Sequence, residues 1–241
     1  MAKIYGEESE YIREIKQNNF KSLIILFLVY IVASGIYFYA ATRDTENLLL
    51  ALWLAITFLV VIKILINLLE SKGQVFIAAK RGLDSEDDIA GELAKLPDTY
   101  SIFRGFRFGK QGDVDFIVVG PAGVFAVEAK SHRGKIGFRD KGLTLRGAPF
   151  KEKNILRQAF GEAMTVHDYL FGKTGKEIFV TPIIVFSSRF ASLRFGLRKM
   201  ENVHVVGMKW LLELISKSPL AQPEKISAAE KALREHFEQS N

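Results

Sequence analysis

The chain of 241 residues predicts an α/β fold, a mixed sheet flanked by helices, preceded by an all-α two-helix transmembrane hairpin. Three observations carry this. Two long apolar runs stand near the N-terminus. Behind them a helix, three or more strands, a helix and a strand follow in turn, and runs of that order form a sheet with helices packed on it. The last strand of that series, in "EIFVTPIIVFS", is almost unbroken in its apolar character, which predicts burial on both faces.

The first apolar run, Ser22 to Ala41, has 20 residues and no charge. The second, Leu48 to Leu69, has 22 residues and one charge, Lys63. Each is long enough to cross a hydrocarbon core of about 30 Å at about 1.5 Å per residue. A signal peptide has a shorter apolar stretch and is not followed at once by a second. The link "TRDTEN" permits only a tight hairpin, so both outer ends lie on one side. Lys3, Arg13, Lys16 and Lys21 precede the first run, Lys72, Lys80 and Arg81 follow the second, and the link holds Arg43 alone. The positive-inside rule then predicts a multi-pass protein of the cell membrane, with both termini and the remaining domain cytoplasmic. The expected organisation is a cytoplasmic segment over 1–20, the hairpin over 21–70, a linker over 71–83 and one domain over 84–241. The first twenty residues read as a short helix or a loose tail.

Within the domain, "LDSEDDIAGELAKLP" puts Ile89, Leu93 and Leu96 at helical spacing, with Ser85 or Asp84 able to cap it. "YSIFRGFRF" alternates, which predicts a strand with Ile102, Arg104, Phe106 and Phe108 on one face. "KIGFRDKGLTLRG" predicts a hairpin around Asp140-Lys141-Gly142. "NILRQAFGEAMTVHDYLFG" predicts a helix capped by Asn154 and closed by Gly172, with Ile155, Leu156, Ala159, Ala163, Val166 and Leu170 inward. A strand at "NVHVVG" and helices near Lys209–Ser216 and Ser227–Glu238 complete the chain.

The chemistry concentrates in "VDFIVVGPAGVFAVEAK", Val114 to Lys130. Gly120-Pro121-Ala122-Gly123 has the residues of a turn. Pairing across it sets Val119 opposite Val124, Asp115 opposite Glu128 and Asp113 opposite Lys130. Like charges directly opposite destabilise a sheet. A divalent cation between the acids would convert that repulsion into coordination. The alternative is a wetted edge at which Lys130 neutralises Glu128.

These residues resemble the PD-(D/E)xK nucleases and, more narrowly, the NERD (nuclease-related) domain. The matching text is "SEDDIAGELAKLP", "GDVDFIVVGPAGVFAVEAKSHRGKI" and "NILRQAFGEA", about a third of the chain. The resemblance implies a restriction-endonuclease-like fold. It implies acids at Glu86, Asp115 and Glu128 that hold Mg2+, with Mn2+ able to replace it. It implies a catalytic set of Glu86, Asp115, Glu128, Lys130 and Gln158, in which Lys130 orients or activates the attacking water. Gln158 either faces the site or caps a backbone group. "SHRG" after the lysine departs from the family's usual residues there. His132 within it reads as a phosphate contact or an exposed side chain rather than a general acid.

The net charge of +6 and pI of about 9.4 favour anionic partners. From Arg104 to Arg157 twelve Lys and Arg face five Asp and Glu, so this segment holds an excess as large as the whole chain's. Arg133, Lys135 and Arg139 are the expected nucleic-acid contacts, with DNA placed ahead of RNA. Membrane lipid and further copies of the chain complete the expected partners. There is no Cys, which excludes disulfides and thiolate metal sites. "GFRFGKQG" and "GKTG" lack the spacing of a phosphate-binding loop, and neither G-x-S-x-G nor H-E-x-x-H occurs. The expected activity is hydrolysis of nucleic-acid phosphodiesters on the cytoplasmic side. A catalytically silent nucleic-acid-binding module and a tethered interaction protein with a lipid-facing basic surface are the alternatives.

Overall fold

A computed structural model of the chain describes residues 1–5, 27–28, 30–32, 34–36, 39, 48–108, 113–140, 142–150, 154–193, 197 and 199–240. The chain divides into two compact units, residues 9–80 on one hand, and Met1–Glu8 with Arg81–Asn241 on the other.

In the unit spanning 9–80, the described residues between 27 and 39 are helical, and helix α1 (Leu48–Leu93) begins there. Tyr30 stacks on Phe58 with centroids 6.1 Å apart. Leu28, Val32, Ile36, Ile56, Leu59 and Val60 are all exposed. Among the described residues no helix is long and apolar enough to cross a membrane. Most of the first apolar run, the link after it and many side chains of the second lie outside the described residues, as does most of the N-terminal segment.

The other unit is built on a seven-stranded mixed sheet in the order β1-β2-β3-β4-β8-β11-β10. Its strands are β1 (Lys3–Tyr5), β2 (Ser101–Arg107), β3 (Asp113–Gly120), β4 (Gly123–Lys130), β8 (Val180–Phe186), β10 (Lys199–Met200) and β11 (Val203–Gly207). β2, β3 and β4 form an antiparallel meander; β4, β8 and β11 are mutually parallel neighbours. A small second sheet orders β7 (Ala148–Pro149), β6 (Gly142–Leu145), β5 (Gly134–Arg139) and β9 (Ala191–Leu193). Helices α2 (Ile155–Thr174), α3 (Met208–Ser216) and α4 (Pro223–Ser240) complete it. The buried parallel strand β8 explains the unbroken apolar run, since β4 and β11 flank it and both its faces are covered.

Two core clusters pack on the two faces of β3 and β4, and a third joins the small sheet to α2, β8 and β11 through Ile136, Leu143, Ile155, Leu156, Ile184 and Val205. On one face, Phe116, Val118, Phe125 and Val127 pack with Ile89 and Leu93 of α1 and Leu211 and Ile215 of α3. On the other, Ile117, Val119, Val124 and Ala126 pack with Ala163, Val166 and Leu170 of α2 and Leu233 of α4. The alternation of β3 and β4 delivers this division directly.

Several expectations are corrected. Ser85 does not cap a helix, because α1 runs on from Leu48 and no Pro interrupts it; its hydroxyl instead meets the Ser187 hydroxyl at 2.6 Å. Residues 71–83 are helical. In β2 the alternation slips. Gly105 adopts φ +63, so Phe106 joins Phe103 in the α2-side core while Ile102 lies in the α1-side core. Helix α2 ends at Thr174 rather than Gly172, because Gly175 takes the left-handed conformation and donates its N–H to Phe171 O at 2.8 Å. The first residues form a strand, not a tail. Lys3 to Tyr5 run parallel to β2, and Tyr5 stacks on Phe103 at 5.1 Å.

Candidate active site

The hairpin register holds as the turn residues dictate. Gly120 pairs with Gly123, Val119 with Val124, and the ladder continues to Phe116 opposite Val127. It stops there, one step before Asp115 and Glu128. In place of the next backbone bond, the Asp115 carboxylate accepts the Ala129 N–H at 2.8 Å. Asp113 does not meet Lys130. It pairs across β2–β3 with Arg107, and Lys130 pairs in register with Phe186 of β8.

Glu128 and Lys130, two apart in β4, share the face that α2 covers, and Asp115 joins them through its bond to the Ala129 N–H. Helix α2 then supplies the covering groups. Asn154 caps it, its Oδ1 accepting from the N–H groups of Leu156 and Arg157 at 3.2 Å each. This fixes the first turn, and Gln158 follows in the next. Gln158 Nε2 donates to Glu128 Oε1 at 3.0 Å and to Glu162 Oε1 at 2.9 Å. Gln158 therefore faces the site rather than capping a backbone group. Lys130 Nζ lies 2.8 Å from Glu128 Oε1. Both side chains are nearly buried, 13% and 7% exposed, so this is an enclosed ion pair and not a wetted edge.

Glu162 belongs to this cluster and was not among the expected residues. Its signal was present: it stands four residues after Gln158, on the same helix face. Burial and the neighbouring Glu128 push its carboxyl up to about 8. Asp115 is raised well above its usual range by burial, then by the charge of Glu128, against the opposing bond from Ala129. Acids packed this closely resist ionising together.

Glu86 stands apart. It is on α1, which covers the opposite face, and Arg104 holds it at 3.4 Å while binding Asp87 at 2.7 Å. Burial raises its carboxyl, with Arg104 opposing. The charge of Glu128 adds to the rise at Glu86, and the charges of Glu128 and Glu86 both raise Asp115. Arg104 is thus committed to acids and to the Phe116 ring, 5.9 Å away, and is not part of a phosphate-binding surface.

Among the described residues no group of three or more His, Asp or Glu stands in metal-holding geometry. Lys130 and Gln158 hold Glu128 instead. The donors themselves suit a hard divalent cation, being carboxylate oxygens that carry excess mutual repulsion. Asp115, Glu128 and Glu162 supply the carboxylate oxygens of the cluster, and Glu86 adds one from α1.

Of the expected nucleic-acid contacts, Lys135 and Arg139 are exposed on β5, and Arg133 is exposed with its guanidinium 5.4 Å from the Phe190 ring. His132 is neither exposed nor poised for phosphate: it packs edge-on against Phe150 and Phe186, at 4.9 and 6.4 Å. Lys110, Lys141, Lys151 and Lys153 lie outside the described residues.

Residues 81–187 match the family model described as the nuclease-related domain, NERD. No curated protein and no solved structure matches the chain.

Proposed function

On the premise that residues 81–187 are a nuclease-related domain, we propose that the chain is a membrane-anchored, Mg2+-dependent nuclease that hydrolyses nucleic-acid phosphodiesters on the cytoplasmic side. The observation that carries the proposal is the convergence of Asp115, Glu128, Lys130, Gln158 and Glu162 at the end of the β3–β4 hairpin. A single ion pair needs one carboxylate, whereas Asp115 and Glu162 are also gathered about Glu128 and both are raised by its charge, as in functional sites.

Asp115, Glu128 and Glu162 would hold the ion, with Glu86 able to contribute from α1. A bound magnesium ion neutralises charge on the phosphoryl oxygens and supplies an acidified water. In the reaction a water oxygen adds to phosphorus, one P–O ester bond breaks, and the departing oxygen takes a proton. Gln158 orients Glu128 by donating to Oε1, and Lys130 Nζ, on the same strand face, steadies the water or the charge on the phosphate. The basic segment from Arg104 to Arg157, less Arg104 itself, supports a phosphate backbone as partner.

The anchor rests on the two apolar runs and on the exposed Leu28, Val32, Ile36, Leu59 and Val60. Exposed apolar side chains of this kind call for lipid or a partner chain. The test is incubation of the purified full chain with labelled DNA and RNA, with and without magnesium. Metal-dependent cutting of DNA ahead of RNA is expected. No cutting of either, with magnesium bound, would refute the activity.

A further inference from the structure

A polar pocket with a volume of about 340 Å³ opens where β4 and β8 end. Its wall is made by three segments. Arg81 to Asp88 of α1 form one side, Ser131 to Arg133 after β4 the second, and Ser187 to Phe190 after β8 the third. β4 and β8 are parallel neighbours, so the pocket sits beyond the carboxyl ends of adjacent parallel strands, where α/β sheets bind ligands.

The segments are tied together without a ligand. Ser187 N donates to Lys130 O at 3.1 Å, and Gly134 N donates to Phe190 O at 2.9 Å. The hydroxyls of Ser85 and Ser187 meet at 2.6 Å and bind α1 to the β8 loop. The Ser188 hydroxyl accepts the Phe190 N–H at 3.2 Å.

Its lining is chemically specific. Arg81, Arg133 and Arg189 bring three guanidinium groups, against the carboxylates of Asp84 and Asp88. None of the three arginines forms an ion pair with a described carboxylate. Arg133 and Arg189 rest on the Phe190 ring at 5.4 and 4.9 Å, and that ring is 55% exposed. Four serines add hydroxyls. Guanidinium forks and hydroxyls around a small cavity match the oxygens of a phosphate group, and an exposed aromatic at the rim offers a base a stacking surface. The pocket is also next to the reacting centre in the chain. Ser131 follows Lys130 and Ser85 precedes Glu86, with adjacent Cα atoms about 3.8 Å apart.

We infer that this pocket is a subsite for a phosphate of the nucleic-acid strand, neighbouring the phosphate cleaved at the acidic cluster. The inference rests on the nuclease reading. Bound there, the strand passes around the end of the sheet, and the neighbouring phosphate fixes which ester bond meets Asp115 and Glu128.

The test uses the full chain in detergent, a fluorescent single-stranded oligonucleotide, and EDTA to isolate binding from cutting. Arg81→Ala, Arg133→Ala and Arg189→Ala should each weaken binding about tenfold. Each should also lower the slope of log affinity against log salt by about one. Arg133→Lys and Arg189→Lys keep the charge and should restore the salt slope, which a merely folded-state role would not require. If wild type binds the oligonucleotide and the alanine variants bind equally with an unchanged slope, the pocket assignment fails and the nuclease reading stands. If wild type neither binds nor cuts, both fail. A parallel titration with phosphatidylglycerol vesicles separates a lipid phosphate from a nucleic-acid one. Loss of vesicle binding alone, with oligonucleotide binding intact, overturns the subsite.

Discussion

Glu162 is the residue through which the acidic cluster can be weighed most simply. Its carboxyl is raised from 4.5 to about 8 by burial and by Glu128. In the folded protein the proton is therefore held more tightly than in the unfolded chain. Below the unfolded pKa both states are protonated and the group costs nothing. As pH rises from about 4.5 toward about 8, the unfolded state ionises first and stability falls. Above that range the full cost is present. The shift sets a ceiling of about 5 kcal/mol at about 1.36 kcal/mol per unit. Glu162 is only part-buried, so solvent screening reduces this to about 1–2 kcal/mol. Asp115 and Glu86 shift in the same direction and add to the slope. Thermal melts in EDTA between about pH 5 and about pH 9 should show the metal-free wild type losing stability as pH rises. Glu162→Gln should flatten that loss and raise Tm at the alkaline end by about 2–8 °C, at about 2–4 °C per kcal/mol for a domain of this size. Equal alkaline losses in wild type and variant would refute the reasoning.

Lys130→Ala leaves Glu128 enclosed without its ion-pair partner, so the metal-free protein should lose about 3 kcal/mol in denaturant titration, while magnesium still binds and cutting is abolished. Arg104→Ala frees the acids of α1, and because Asp87 is 44% exposed the loss should be smaller, about 2 kcal/mol by the same titration. The hairpin topology is open to cysteine labelling, since the chain has no Cys of its own. An impermeant maleimide should label Thr45→Cys from outside intact cells and leave Asp98→Cys, exposed beyond Pro97, unlabelled; labelling at Asp98→Cys would reverse the orientation.

Legibility followed periodicity. The inward residues of α2, from Ile155 to Leu170, are all buried, because a twenty-residue amphipathic helix repeats its signal several times. The β3–β4 register was legible because two glycines and a proline fix the turn. β1 was not, since three residues with Ile4 as their one aliphatic side chain carry no period, and the free edge of β2 selects them. The face of Phe106 is not legible, because a single left-handed Gly105 leaves no trace in an apolar count. In the site, Asp115, Glu128 and Lys130 followed from the hairpin and Gln158 from the family likeness. Glu162 stands four residues after Gln158, a spacing that the sequence shows but that carries no family motif. The link between Glu86 and Arg104 crosses from α1 to β2, and no local pattern encodes it.

The central claim is that Asp115 and Glu128 are cation ligands rather than structural acids. Magnesium-dependent thermal stabilisation of the full chain tests it most directly, read beside cutting of labelled DNA in the same samples. Wild type should gain Tm with magnesium. Asp115→Asn and Glu128→Gln should gain none and cut nothing. The metal-free Asp115→Asn should be at least as stable as wild type, because it removes a crowded charge and keeps an oxygen for the Ala129 N–H. Glu128→Gln should not share that benefit, because it breaks the pair with Lys130. If both variants gain stability with magnesium as wild type does, or still cut DNA, these acids are not the metal site.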